Sequence, residues 1–116
     1  MKRGQIWMAD LGEGRGSEQN GLRPVVIIQN DVGNQFAPTT IIAPVTDQGK
    51  RYMPTHQKIR SAEKPSVVLL EQIRTICKSR LEYPIGCLSM SEMEAVNRKI
   101  LLSLGLVQVK EAQKQA

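Results

Sequence analysis

The chain has 116 residues, 41% of them apolar, which is enough for one domain with its own hydrophobic core and argues against general disorder. No apolar run approaches the roughly 18 residues of a membrane span, and the basic N-terminus is not followed by an apolar stretch of signal-peptide length. We therefore expect a cytoplasmic protein that does not enter a membrane. The only cysteines, Cys77 and Cys87, fit free thiols in a reducing compartment better than a metal site.

The positive charge is concentrated in one segment of the chain. Residues 50–80 carry eight basic and two acidic side chains, a net charge of +6, whereas the whole chain has a net charge of +5. The remainder therefore sums to −1, which is +5 minus +6. Such an excess is typical of proteins that bind a polyanion such as a nucleic acid, although an ordinary solvated face of a basic protein has the same composition.

The first third of the chain predicts two strands and a glycine-rich loop. Residues 5–11 have the apolar pattern of a strand, and residues 23–29 form a β-branched run so continuous that both faces of the strand should be covered. The loop between them holds four glycines between residues 12 and 21 and should be adaptable. Residues 30–34 have the composition of a turn.

Short strands continue through the middle of the chain. Residues 39–46 predict a strand in which Pro44 indicates an edge or a bulge. Further strands are expected at residues 55–59, 66–70, 73–77 and 81–85.

The pattern then changes to that of a helix. Two overlapping capping boxes, Ser89 with Glu92 and Ser91 with Glu94, mark its beginning, and Gly105 is a suitable C-cap. One apolar face is predicted to contain Met93, Val96, Ile100, Leu101 and Leu104. Five to seven short strands followed by one amphipathic helix predict a small barrel or curled sheet with the helix laid against it. We expect a single domain over residues 1–107 and a polar, frayed tail over residues 108–116.

Several kinds of catalysis lack the residues they need. The glycine-rich loop is not followed by Gly-Lys-Ser/Thr and leads into a strand, so it is not a phosphate-binding loop that begins a helix. His56 is the only histidine and no carboxylates have ligand spacing, which argues against zinc, two-metal and paired-histidine mechanisms. We expect no metal or other cofactor. Catalysis by arginine and hydroxyl groups remains open, as does the absence of catalysis.

Arg23 and Thr46 are the candidates for such chemistry. Pro24 favours an extended conformation at Arg23, so the guanidinium should project from a stiff strand entrance beside the adaptable loop. Thr46 places a hydroxyl at the exit of the next strand. The alternative is that Arg23 is an ordinary surface residue and Thr46 a residue that forms a turn.

Five segments in this order resemble the MazF/PemK family of toxin endoribonucleases. They are GQIWMADL, GSEQNGLRPVVIIQND, PTTIIAPVT, MPTH and VVLLEQIRTI, and the resemblance extends over residues 3–107. It implies a mainly β fold, a small SH3-like barrel (MazF/PemK/CcdB-like) with a C-terminal helix packed on it, that works as a homodimer. It also implies sequence-specific, metal-independent cleavage of single-stranded RNA, mostly mRNA, that leaves 2′,3′-cyclic phosphate and 5′-hydroxyl ends. A cognate acidic, MazE-like antitoxin would neutralise the activity.

The resemblance also assigns roles to individual residues. Arg23 matches the arginine of the family's Arg-Pro motif and Thr46 the threonine that ends the following strand, and both would be catalytic. RNA contacts would come from Ser17, Glu18, Gln19, Gln72, Arg74 and Thr75, with His56 as a further candidate. Residues 47–53 and 61–65 look short for the family, so the recognised RNA sequence does not transfer.

Two other functions remain open at this point. A gyrase-poisoning toxin shares the fold, but that group resembles sequences that end in Trp-Gly-Ile, whereas this chain ends in Lys-Gln-Ala. A non-catalytic RNA-binding module would need only the basic segment, and the presence of both Arg23 and Thr46 argues against it.

Overall fold

The computed structural model of the protein describes residues 1–47 and 52–108, which contain seven strands and two α-helices. The strands are β1 (Gln5–Asp10), β2 (Leu22–Ile27), β3 (Thr39–Thr46), β4 (His56–Ile59), β5 (Ser66–Leu69), β6 (Arg74–Cys77) and β7 (Leu81–Cys87). The helices are α1 (Asp31–Phe36) and α2 (Met90–Ser103), and 3₁₀ turns follow β5 at Leu70–Gln72 and β6 at Lys78–Arg80. All seven predicted strands are confirmed, with ends that differ by up to two residues. Most of the predicted tail, residues 109–116, lies outside the described residues.

Strand β3 is the central strand of the sheet. The strands pair antiparallel in the order β4-β5-β3-β2-β1-β7, and β6 also pairs with β3. On one side β3 contacts β2, and on the other it contacts β6 through its first half and β5 through its last two residues. Strand β3 as a whole is not an edge strand, but Pro44 itself has a partner strand on one side only, which agrees in part with the prediction of an edge or a bulge. Pro44 lies between the β6 and β5 pairings, where a residue without an N–H group costs no ladder hydrogen bond on that side.

The sheet is curled but not closed into a barrel by strand pairing. Strands β4 and β7 are its two ends, and no ladder joins them among the residues that the structure describes. The ends nevertheless approach each other, because a Cβ atom at Gly86 of β7 would lie 2.6 Å from the carbonyl oxygen of Ser61, two residues after β4. The prediction of a closed barrel is therefore not confirmed, whereas the prediction of a curled sheet with a helix against it is confirmed.

Both faces of the central strands are buried, as the continuous β-branched run predicts. Val26 and Val45 belong to a hydrophobic cluster that includes Val96 of α2. Val25 and Ile42 belong to a second cluster on the opposite face of the sheet. The faces alternate because successive side chains of a strand point to opposite sides. This double burial specifies the register of β2 and β3.

The segment that was predicted to be a turn is the short helix α1. The Asn30 side chain caps it by accepting a hydrogen bond of 2.8 Å from the Gly33 backbone N–H. Asn34 is buried, and its side-chain amide donates to the backbone carbonyl of Gln29, which ties the helix to the segment that precedes it. Asn and Asp favour both turns and helix N-caps, so composition alone did not separate the two structures.

Helix α2 begins as predicted but buries a different face near its end. The Ser89–Glu92 capping box is present, whereas Ser91 already lies inside the helix. Leu101 and Leu104 are exposed and Leu102 is buried, so the predicted apolar face is wrong in the last turn. A hydrogen bond of 2.6 Å from the Ser103 hydroxyl to a carbonyl of the 3₁₀ turn after β5 fixes that orientation. In the residues that the structure describes, neither helix has the length and apolarity needed to cross a membrane.

Glu92 joins the start of α2 to the segment after β4. Its carboxylate accepts hydrogen bonds from the backbone N–H groups of Ser89 at 2.9 Å and Arg60 at 2.6 Å, and from the Ser61 hydroxyl. Burial raises the pKa of Glu92, but the hydrogen bonds from Ser61, Ser89 and Arg60 outweigh burial and hold the pKa below its ordinary value of 4.5.

Replacing Glu92 by Gln should lower the free energy of unfolding near neutral pH by about 1–2 kcal/mol, because hydrogen bonds to a charged acceptor are weakened. Since the folded-state pKa is depressed, the stabilisation is complete above the unfolded pKa and is lost as the pH falls through the folded pKa. Denaturant unfolding at about pH 7 and about pH 3 should therefore show a difference between wild type and variant that shrinks in acid.

The control is Glu94→Gln, which removes the same charge from an exposed position of α2. It should change stability by less than about 0.5 kcal/mol. Equal losses in both variants, or a loss that does not depend on pH, would show that the Glu92 contacts do not stabilise the fold.

Candidate functional site

The pairing of β2 with β3 brings Arg23 and Thr46 together. Val25 lies opposite Pro44 and Ile27 opposite Ile42. Continuing this antiparallel register by two residues places Arg23 opposite Thr46, with both side chains on the same face of the sheet. Both residues line a cavity of about 430 Å³, which we call the Arg23 cavity. Its lining residues are Asn20, Leu22, Arg23, Pro24, Val45, Thr46, Asp47, Lys64 and Ser66.

The guanidinium of Arg23 is held at one point. Its Nε atom donates a hydrogen bond of 3.2 Å to the carbonyl of Asn20, the residue where the glycine-rich loop returns to β2. The two Nη groups donate to no residue that the structure describes, so a planar pair of N–H donors remains available on a residue that lines the cavity. Such a pair matches the oxygens of a phosphate group.

The other polar groups of the Arg23 cavity leave it cationic. Thr46 is 7% exposed at the end of β3, where its backbone pairs with Val67 of β5. Lys64 lies 4.0 Å from Asp47, and both side chains are exposed, so this ion pair adds little stability. Two cationic side chains and one carboxylate line the cavity, which favours an anionic ligand.

The glycine-rich loop is closed at its base and tied to the sheet near its middle. Leu11 N–H donates to the Gly21 carbonyl at 2.9 Å, and Gly21 N–H donates to the Gly12 carbonyl at 2.8 Å. Both glycines have positive φ, which a side chain would disfavour. The side chain of Gln72 accepts from Gln19 N–H and donates to the Ser17 carbonyl, each at 2.9 Å. The loop that was expected to be adaptable is thus held at its base and at residues 17 and 19.

A second cavity of about 430 Å³ lies between this loop and the segment after β5, and we call it the Glu71 cavity. Its lining residues are Glu13, Glu18, Gln19, Pro44, Glu71, Gln72, Ile73 and Arg74. It adjoins the Arg23 cavity, because Gln19 and Asn20 are consecutive, as are Pro44 and Val45. Four of the residues expected to contact RNA therefore lie in one cavity, and Ser17 is bonded to it through Gln72.

Thr75 and His56, which were also expected to contact RNA, lie elsewhere. Thr75 is an exposed residue of β6 that pairs with Ile41. Its side chain lies on the face of the sheet opposite to that of Arg74, because the two residues are consecutive in the strand. His56 is 2% exposed, so a direct contact between its side chain and RNA does not fit the structure.

The charge of the Glu71 cavity differs from what the basic segment predicts. Three carboxylates, those of Glu13, Glu18 and Glu71, line it with one cation, Arg74, which gives a formal charge of −2. Of the basic side chains of residues 50–80 that the structure describes, only Lys64 and Arg74 line either cavity, and Lys50 and Arg51 lie outside the described residues. Glu71 was not among the residues predicted to contact RNA, although it immediately precedes Gln72.

Comparisons with known proteins identify the family. The family model described as "PemK-like, MazF-like toxin of type II toxin-antitoxin system" matches residues 2–104. Proteins named endoribonuclease MazF from Staphylococcus saprophyticus and Staphylococcus epidermidis are 50% and 49% identical to the chain over 111 residues, covering 91% of this chain and 92% of each relative. A solved endoribonuclease in complex with its cognate antitoxin, from a mycobacterial species, superposes with a TM-score of 0.79 at 25% identity, covering 93% of this chain and 98% of that one.

The fold, a curled β-sheet with a C-terminal helix, is thus that of a toxin of a toxin–antitoxin pair. The chain belongs to the PemK-like, MazF-like toxin family of type II toxin–antitoxin systems. The resemblance drawn from its sequence motifs is confirmed.

Proposed function

We propose that this protein is an endoribonuclease toxin that cleaves single-stranded RNA by attack of a 2′-hydroxyl group on the adjacent phosphate. The observation that carries the proposal is the Arg23–Thr46 pair, which the β2–β3 register places on one face of the sheet inside a cationic cavity. Membership of the toxin family and the name of the staphylococcal relatives, endoribonuclease MazF, support the same activity.

The reaction needs a group that stabilises negative charge, and Arg23 is suited to it. As the 2′-oxygen bonds to phosphorus, the phosphorane-like transition state carries added charge on its non-bridging oxygens. The free Nη groups of Arg23 can donate to two of these oxygens at once. The 2′-hydroxyl gives up its proton to solvent, the bond from phosphorus to the 5′-oxygen breaks, and the 5′-oxygen takes up a proton from solvent, so that a 2′,3′-cyclic phosphate and a 5′-hydroxyl result with no net change in protons.

Arg23 is not proposed as the general base, because a guanidinium has a pKa above about 12 and loses its proton only at high cost. The Thr46 hydroxyl donates a hydrogen bond to a phosphate oxygen or orients the 2′-hydroxyl of the RNA. No step calls for a metal ion, since the guanidinium supplies the positive charge that a metal would otherwise provide.

The two cavities divide the work of binding RNA. The cationic Arg23 cavity receives the scissile phosphate, and the adjoining Glu71 cavity receives an unstacked base, because single-stranded RNA exposes its base edges. Glu18, Gln19 and Arg74 line the Glu71 cavity, while the hydrogen bond between Gln72 and Ser17 holds the glycine-rich loop in place. Cleavage would then depend on the sequence around the cut.

The active form is proposed to be a homodimer of a single domain, residues 1–107, in the cytoplasm. Large apolar side chains are exposed on α1, in the last turn of α2 and after α2, which supports burial against a second copy. They are Val32, Phe36, Leu101, Leu104, Leu106 and Val107. Sedimentation at micromolar concentration should show a dimer, and an active monomer would contradict it.

The proposed regulator is an acidic antitoxin, and the mycobacterial neighbour was solved in complex with its own cognate antitoxin. A disordered acidic segment can fold onto the Gly12–Gly21 side of the Arg23 cavity and exclude RNA. An uncleavable RNA analogue and the antitoxin segment should therefore displace each other, as measured by fluorescence anisotropy. Simultaneous binding with unchanged affinities would place inhibition at a separate site.

Replacing Arg23 by Ala should lower the rate of RNA cleavage by about 10²–10³-fold, the usual loss for one charge-stabilising donor. Thr46→Ala should lose less, because its hydroxyl only assists. Initial rates on one long RNA measure both effects. Arg98→Ala, which removes an exposed arginine of α2 away from both cavities, is the control and should keep the wild-type rate.

Melting temperatures of the three variants separate loss of chemistry from loss of folding. If the cleavage rate of a folded Arg23→Ala variant fell by less than about fivefold, other residues would have to stabilise the transition state. A folded, RNA-binding protein that never cleaves would instead be the non-catalytic binding module.

A further inference from the structure

Glu71, in the 3₁₀ turn after β5, presents a carboxylate that is fixed on the wall of the Glu71 cavity. Its Oε2 atom lies 2.9 Å from His56 Nε2, and its Oε1 atom accepts a hydrogen bond of 3.0 Å from the Thr55 hydroxyl. Each oxygen therefore has one protein partner and keeps further acceptor capacity for a ligand. The carboxylate side chain remains 28% exposed at the cavity.

His56 is built to hold Glu71 rather than to touch RNA. Its Nδ1 atom accepts a hydrogen bond of 3.2 Å from the Met53 backbone N–H. A nitrogen that accepts carries no hydrogen, so the ring is assigned the tautomer whose Nε2–H donates to Glu71. The edge of the Tyr52 ring packs against the imidazole at a centroid distance of 5.9 Å, and the Tyr52 hydroxyl donates to the His56 carbonyl. The buried ring is thereby fixed.

Gln19, which also lines this cavity, has a buried acceptor. The Oε1 atom of Gln19 is buried and has no hydrogen-bond partner among the described residues, and Gln19 itself is only 8% exposed. A buried carbonyl without a donor is costly, so a rotation of the Gln19 side chain that turned Oε1 into the cavity would let a ligand N–H group satisfy it. The side chain of Gln72, by contrast, already uses both ends of its amide on the loop.

The cavity is rich in acceptors and has a formal charge of −2, so it repels phosphate and suits the donor edge of a base. Cytosine and adenine present an exocyclic amino group and guanine presents an amino and an imino N–H, all of which a carboxylate accepts. Uracil presents two carbonyl oxygens and a single N–H, and its carbonyls would face the carboxylates.

We propose that the Glu71 cavity selects an amino-bearing base over uracil at one position of the RNA, with Glu71 as the acceptor and His56 and Thr55 as positioning residues. This inference rests on the proposed ribonuclease function and names the specificity of the same site. His56 acts only through Glu71, so loss of either residue should relax the same base preference.

The test is the base profile around the cuts that the purified protein makes in a random single-stranded RNA pool, read by sequencing the fragment ends. Wild type should disfavour uracil at one position by about tenfold or more, the size of discrimination that a good base contact provides. Glu71→Gln should reduce that discrimination to about twofold or less, since a neutral amide offers one acceptor instead of two. Glu82→Gln, an exposed carboxylate of β7, should leave the profile unchanged.

The positioning role has its own readout. His56→Phe should relax the preference at the same position, and the double variant with Glu71→Gln should show no further relaxation, because both act through one carboxylate. Thr55→Val, which removes the other hydrogen bond to Glu71, tests the same link if His56→Phe fails to fold.

The outcomes separate the two proposals. An unchanged base profile in Glu71→Gln, or a wild-type profile without discrimination against uracil, overturns the role of the Glu71 cavity and leaves the ribonuclease function standing. A loss of cleavage in Glu71→Gln that is equal for every sequence makes Glu71 part of the catalytic machinery and also overturns the proposal. No cleavage by wild type overturns the ribonuclease function, and the Glu71 inference with it.

Discussion

The pairing of β2 with β3 is the constraint on which the rest of the structure depends. In this register Val25 faces Pro44 on one side of the sheet and Val26 faces Ala43 on the other, and each side is covered by its own hydrophobic cluster. If the pairing of β2 with β3 shifted by one residue, the side chains of both hydrophobic clusters would point to the wrong face of the sheet. Burial of these side chains therefore fixes the register. The same register carries Arg23 opposite Thr46 at the strand ends. The geometry of the candidate site is therefore a consequence of core packing, which is far more rigid than a loop contact.

Charge then divides the site into two adjoining parts. The Arg23 cavity has two cations and one carboxylate, and the Glu71 cavity has three carboxylates and one cation. A phosphodiester chain carries its charge on the backbone and its donors and acceptors on the bases, so neighbouring cavities of opposite charge match neighbouring parts of one nucleotide strand. Gln72 keeps the two parts in a fixed relation, because its amide bonds to the loop on both sides of Glu18.

The sequence predicts the strands, and the position of Arg23 and Thr46 at strand ends, better than it predicts how the strands pair, and the reasons are physical. The β-branched run after Pro24 and the ends of two strands are local signals, so the strands could be placed and Arg23 and Thr46 recognised without knowledge of tertiary contacts. Whether the sheet closes, and that Pro44 lies where β3 changes partner, depend on pairings between distant strands. The burial of Leu102 instead of Leu101 depends on a hydrogen bond from Ser103 to another element. The His56–Glu71 pair joins residues 15 apart that meet only through the β4–β5 hairpin, which no local pattern reveals.

The chemical ends of the RNA fragments report directly on attack by the 2′-hydroxyl. Purified protein is incubated with a long single-stranded RNA in excess EDTA, and the termini of the fragments are identified. We expect discrete fragments with 2′,3′-cyclic phosphates and with 5′-hydroxyl ends, which a polynucleotide kinase labels without prior phosphatase treatment. Fragments with 5′-phosphate and 3′-hydroxyl ends, or cleavage that stops in EDTA and returns with Mg²⁺, would contradict attack by the 2′-hydroxyl at a phosphate held by Arg23.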